Sequence, residues 1–102
     1  MRAFTEQINV GPDLMDVYSS VPDGEGPFPA MVVIMNAFGV ADFTKSMCDR
    51  FAEQGYISLA PDLFHSIPDG IVESSGKTKR ELLDDTQIIS DVTATIEFLQ
   101  SN

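Results

Sequence analysis

The sequence predicts an α/β protein built on a partly parallel sheet, and three observations carry that expectation. Residues Ala30–Met35 read AMVVIM, a continuous apolar run of the kind found in strands covered on both faces. Residues 42–54 repeat apolar side chains at helical spacing and stop at Gly55. Tyr56–Ala60 then returns as a second short strand. A strand, helix and strand within about 30 residues make a β-α-β unit, and the right-handed crossover rule sets its two strands parallel.

The elements follow in order. Phe4–Val10 and Leu14–Val21 are strand-like runs separated by Gly11-Pro12-Asp13, which has turn chemistry and predicts an antiparallel hairpin. Residues 22–29, PDGEGPFP, cannot continue a ladder and read as a surface loop. The Ala30–Met35 strand should be central in a finished sheet. Asp42 is the expected N-cap of the first helix, with Phe43, Met47, Phe51 and Ala52 on its apolar face and Gly55 ending it. Pro61-Asp62 closes the second strand. Residues 63–79 carry Pro68, Asp69, Gly70, Ser74, Ser75 and Gly76 and read as an irregular excursion. A second helix is expected over 84–100, with Leu83, Ile88, Val92, Ile96 and Leu99 as its stripe and Ile89 and Phe98 broadening it. A separate turn over 78–83 precedes it.

Composition bounds the function. The 102 residues suffice for one domain, with 43% hydrophobic and 22% charged residues. Sixteen acids against six bases give a net charge of -10, which repels nucleic acid and anionic membranes. Neither is an expected partner. The longest apolar run is too short to span a bilayer, and the N-terminus MRAFTEQINV has no apolar signal core. The single cysteine, Cys48, cannot close an intrachain disulfide, so a reducing, cytoplasmic setting is expected. Its position on the first helix reads as a packed thiol rather than a nucleophile. His65 is the only histidine, so no metal cluster is expected. No Gly-x-Gly-x-x-Gly or Walker pattern follows the first parallel strand, and no cofactor is indicated. Asp62 reads as a strand stop, and His65 lies at the mouth of the excursion, where parallel strands place ligand sites.

Three motifs, taken in order and spacing, carry a resemblance: residues 33–40 (VIMNAFGV), 51–56 (FAEQGY) and 59–64 (LAPDLF). The chain resembles the N-terminal portion of the dienelactone hydrolase family of α/β-hydrolases. The resemblance implies a three-layer fold, here the N-terminal half of its sheet: a β-hairpin, a β-α-β unit and a helix, incomplete by itself. It implies carboxylic-ester or lactone hydrolysis by acyl transfer. In that chemistry one backbone N–H after the first parallel strand helps hold the oxyanion, and by position that donor is Ala37. Asn36 stands where the family has a glutamate that interacts with the resting nucleophile. Arg80, Phe38 and His65 fall on the substrate side, with Arg80 nearest by order to an arginine that holds a substrate carboxylate.

The Gly-x-Cys-x-Gly or Gly-x-Ser-x-Gly elbow that would supply the nucleophile does not occur in these 102 residues. The family's acid and histidine come later still, so the chain alone is expected to be inactive. In the family fold the strand after the second helix pairs beside Ala30–Met35, so without it that strand is an apolar edge. Self-association or a complementing C-terminal half is the expected remedy. The alternative is a non-catalytic relative that binds a small ligand or a protein through residues 36–40 and 63–79.

Overall fold

The computed structural model describes residues 1–35, 40–65, 67, 76 and 80–101, the side chains of 80 and 101 excepted. Its elements are β1 (Arg2–Val10), β2 (Asp13–Val21), β3 (Ala30–Val32), α1 (Asp42–Glu53), β4 (Ile57–Pro61), a 3-10 turn (Arg80–Leu82) and α2 (Asp85–Ser101). The strands form one sheet in the order β1-β2-β4-β3. β1–β2 and β2–β4 are antiparallel, and β3–β4 are parallel as the crossover rule requires.

The hairpin forms as the sequence predicts. Val10 pairs with Asp13, leaving Gly11 and Pro12 as a two-residue loop in which Gly11 takes φ +58°. The proline ring excludes a positive φ at the second position, so of the two favoured hairpin turns only type II′ is open.

Strand alternation divides the sheet into two covered faces. On one, Ile8, Val10, Met15, Val17 and Leu59 form the buried core, with Ala94, Phe98 and Leu99 of α2 packed against them. Each such side chain, fully buried, contributes about 1.5–3 kcal/mol. On the other, Tyr18 Oη and Ser20 Oγ donate to Asp49 Oδ1 of α1 at 2.9 and 2.6 Å. Two helices on opposite faces of one mixed sheet make the three layers.

The end of α1 explains the Gly55 signal. The Gly55 N–H bonds to Ala52 O and the Tyr56 N–H to Phe51 O, both at 3.0 Å, the paired bonds of a Schellman motif. Gly55 takes φ +97°, and the Phe51 and Tyr56 rings meet edge-on at 6.3 Å, supplying that motif's hydrophobic contact. The start of α1 differs from the expectation. The N-cap is Ala41, without a side-chain cap, and Asp42 is the first helical residue. The buried face is Thr44, Cys48 and Ala52, while Phe43 is 68% exposed, because the sheet meets α1 about one residue round from the apolar spacing.

The second helix is displaced by one residue from 84–100, with Asp84 as its cap: the Gln87 N–H bonds to Asp84 Oδ2 at 3.2 Å and the Ile88 N–H to Asp84 O at 2.9 Å. The turn expected ahead of it is the 3-10 turn. Its buried line is not the expected stripe. Asp91 and Thr95 are fully buried, while Ile89 is 66% and Ile96 42% exposed. Polar groups occupy the helix centre because they are bonded there, as described below.

β3 also departs from its expectation. Only Ala30–Val32 join the ladder, with the Val33 N–H bonding to Leu59 O at 2.8 Å, and Ile34 is 55% exposed. As expected where the following strand is lacking, β3 is the outer strand of the described sheet, and a run suited to two neighbours has one. Among the described residues, no helix is long and apolar enough to cross a membrane.

Candidate functional site

The candidate site lies beyond the carboxyl ends of β3 and β4, where ligands of parallel α/β sheets bind. On the β3 side the chain runs through Met35, 8% exposed, into 36–39. Asn36, Ala37 and Phe38, which the sequence singled out, lie outside the described residues. The chain resumes at Val40, and the Ala41 carbonyl accepts the Lys45 N–H at 3.0 Å to begin α1. The helix N-terminus therefore follows the 36–39 segment directly, bringing its unpaired N–H groups and partial positive charge to that end of the site.

On the β4 side Asp62 organises the strand end. Its N–H bonds to Asp16 O at 2.8 Å, its Oδ1 accepts the Phe64 N–H at 3.0 Å, and its carbonyl accepts the His65 N–H at 3.3 Å. A carboxylate bonded to the backbone two residues on is an Asx-turn, and this gives Asp62 the strand-stopping place read from the sequence.

The turn delivers His65 into the molecule rather than outward. Its side chain is 4% exposed, and Nε2 lies 2.8 Å from Asp91 Oδ1, whose residue side chain is fully buried. Gln87 Nε2 donates to the same Oδ1 at 2.8 Å, and Thr95 Oγ1 donates to the Asp91 carbonyl at 2.9 Å. Among the described residues, His65 Nδ1 and Asp91 Oδ2 are buried without hydrogen-bond partners. A carboxylate holding one ring nitrogen fixes the imidazole's orientation and leaves the other nitrogen defined. The pair ties the end of β4 to the middle of α2.

Arg80 opens the 3-10 turn ahead of α2; its side chain lies outside the described portion. Cys48 is fully buried on α1, and burial, with Asp49 beside it, pushes the thiol up from 9.0 to about 11. A thiol held protonated is no nucleophile. Neither Lys45 nor Arg50 counteracts this; the Lys45 ammonium instead sits 5.4 Å from the Tyr18 ring centroid. Among the described residues no group of three or more His, Cys, Asp or Glu could hold a metal ion.

Sequence reasoning missed Asp91 and Gln87. Their signal is Asp91's place: it falls three residues after Ile88 and one before Val92, inside the helix's inward arc. An acid in that arc needs a partner, and His65 is the one histidine available.

The architecture is that of an α/β protein whose sheet and crossover match the first part of the α/β-hydrolase fold. The sequence profile of the dienelactone hydrolase family matches residues 15–102, and the chain belongs to that family. A relative from Azospirillum brasilense that carries the name carboxymethylenebutenolidase is 42% identical over 64 residues, covering 63% of this chain and 27% of its own. Another of that name from Methylorubrum extorquens is 32% identical over 89 residues, 83% of this chain and 31% of its own. A crystal structure from Klebsiella pneumoniae described as a dienelactone hydrolase superposes with a TM-score of 0.81 at 21% identity, covering all of this chain and 45% of that one. The dienelactone hydrolase-like phosphotriesterase P91 superposes at 0.77 with 23% identity, covering 99% of this chain and 43% of that one. At those identities the superpositions bear on the fold alone. The chain thus spans about a third of the curated relatives' length and under half of the solved structures.

Proposed function

We propose that these residues form the oxyanion-side half of a carboxylic-ester or lactone hydrolase that works by acyl transfer. The observation that carries the reading is the family match over residues 15–102, a range that includes residues 30–53, the segment that would aim the oxyanion donor. In this reading the Ala37 N–H is that donor, Asn36 takes the place of the family glutamate, Arg80 and Phe38 serve the substrate side, and His65, which the sequence placed there too, is held inward by Asp91 and fixes the end of β4. Nucleophile, acid and catalytic histidine come from residues outside these 102, so the chain alone turns nothing over, and its domain is the N-terminal part of a larger one. The substrate is a small ester or lactone. The lone buried thiol supports a reducing, cytoplasmic setting.

The test pairs the chain with the C-terminal half of a carboxymethylenebutenolidase-named relative and substitutes Ala37→Pro, which deletes the N–H. Loss of one oxyanion donor should lower kcat about 10²–10³-fold with little change in KM. An unchanged kcat in the folded pair removes Ala37 from the mechanism.

A second reading is favoured by Asn36, a neutral amide where the family has a carboxylate. It makes the chain a non-catalytic relative that binds a small ligand or a protein at the same end of the sheet. Ligand binding by the completed pair without turnover supports it.

A further inference from the structure

One face of the sheet is larger than the helix covering it. Beyond the α2 end carrying Phe98 and Leu99, that face continues as a cleft of about 170 Å³ whose floor and walls include Phe4, Glu6, Ser19, Val21 and Ile57. It lies at the amino end of β4, the opposite end of the parallel strands from the proposed hydrolase site, and does not rest on that reading. The cleft is largely apolar but contains two polar groups. Ser19 is 3% exposed, and among the described residues its Oγ is buried without a hydrogen-bond partner. Among the described residues the half-buried Glu6 carboxylate has neither a hydrogen bond nor an ion pair. The one cation nearby on the strand, Arg2, places its guanidinium 5.5 Å from the Phe4 ring centroid instead.

We propose that this cleft binds a small organic cation, an ammonium group on an apolar body about the size of a benzene ring. The volume suits that body, since a cavity of about 150 Å³ accepts benzene. The unpaired Glu6 carboxylate attracts the ammonium, and the Ser19 hydroxyl has lone pairs free to accept one of its hydrogens. A chain of net charge -10 draws cations and repels carboxylates at long range.

The experiment titrates the full 102-residue chain with phenethylamine, toluene and 3-phenylpropionate at pH 7, following backbone amide shifts by NMR. Phenethylamine should shift Ser19, Val21, Ile57 and Leu99, bind at least tenfold more tightly than toluene, and weaken as salt rises; 3-phenylpropionate should leave these residues unmoved. Glu6→Gln keeps the side chain's shape and should lower amine affinity at least fivefold with toluene unchanged, and Val21→Phe, which fills the cleft, should abolish both. The proposal is overturned if no probe shifts these residues, if toluene or the carboxylate binds as well as the amine, or if a folded Glu6→Gln chain binds phenethylamine unchanged.

Discussion

Each helix turns one acid toward the sheet or its loops, and the two acids do different work. Asp49 accepts from Tyr18 and the fully buried Ser20, fastening α1 across the strands. Asp49→Ala leaves both hydroxyls without that acceptor and should cost about 2 kcal/mol in urea unfolding. Asp49 also acts on its neighbour. Burial first, then Asp49, raises the Cys48 thiol from 9.0 to about 11, and burial with the Asp49 bond raises Tyr18 as well. The unfolded thiol ionises near its ordinary value while the folded thiol keeps its proton, so the unfolded state binds fewer protons in that interval. Stability is therefore full below about pH 9, falls as pH rises toward 11 and levels above it, by on the order of 2 kcal/mol for the thiol. Cys48→Ala should flatten part of that slope in a series of urea melts from pH 7 to 11. A slope unchanged by the substitution would assign the loss elsewhere.

At the scale of elements, the two helices show what a sequence pattern carries. Gly55 was legible because only its backbone can hold φ +97° at the Schellman position; Gly55→Ala should destabilise the chain by about 1 kcal/mol or more, measured by thermal melting. The hairpin was legible for the same kind of reason, since Gly11-Pro12 admits few turns. The buried line of α2 was not. Helical periodicity locates an arc, but it assumes that apolar side chains fill it, whereas Asp91 and Thr95 sit at its centre because His65, Gln87 and a backbone carbonyl satisfy them. The His65 partner is 26 residues away, a contact no local pattern encodes. His65→Ala leaves the buried Asp91 side chain short of a hydrogen-bond partner and should cost about 1–3 kcal/mol. His65→Leu with Asp91→Leu should cost less than the sum of the single changes in a double-mutant cycle. Strict additivity would show that the 2.8 Å contact contributes nothing. Of the candidate site, the motif order made its place at the strand ends legible, while the inward turn of His65 was set by tertiary contact.

The whole molecule is governed by its outer strand. Pro29 O and the Val33 N–H bond to β4, so by strand alternation residues 30 and 32 turn their backbone groups to the open side. Such an edge recruits a strand. The isolated chain should therefore self-associate with rising concentration, seen as an increasing weight-average mass in sedimentation, and Val32→Lys should reduce the association. A Val32→Lys chain that associates as the parent does would move the contact elsewhere. In the proposed function a complementary C-terminal half pairs with this edge and brings the nucleophile. The direct measurement is hydrolysis of 4-nitrophenyl acetate by the chain alone and after refolding with the C-terminal half of a carboxymethylenebutenolidase-named relative. The chain alone should give the buffer rate and the pair saturable turnover. Saturable turnover by the 102-residue chain alone would contradict the proposed function, because a nucleophile would then lie within the chain.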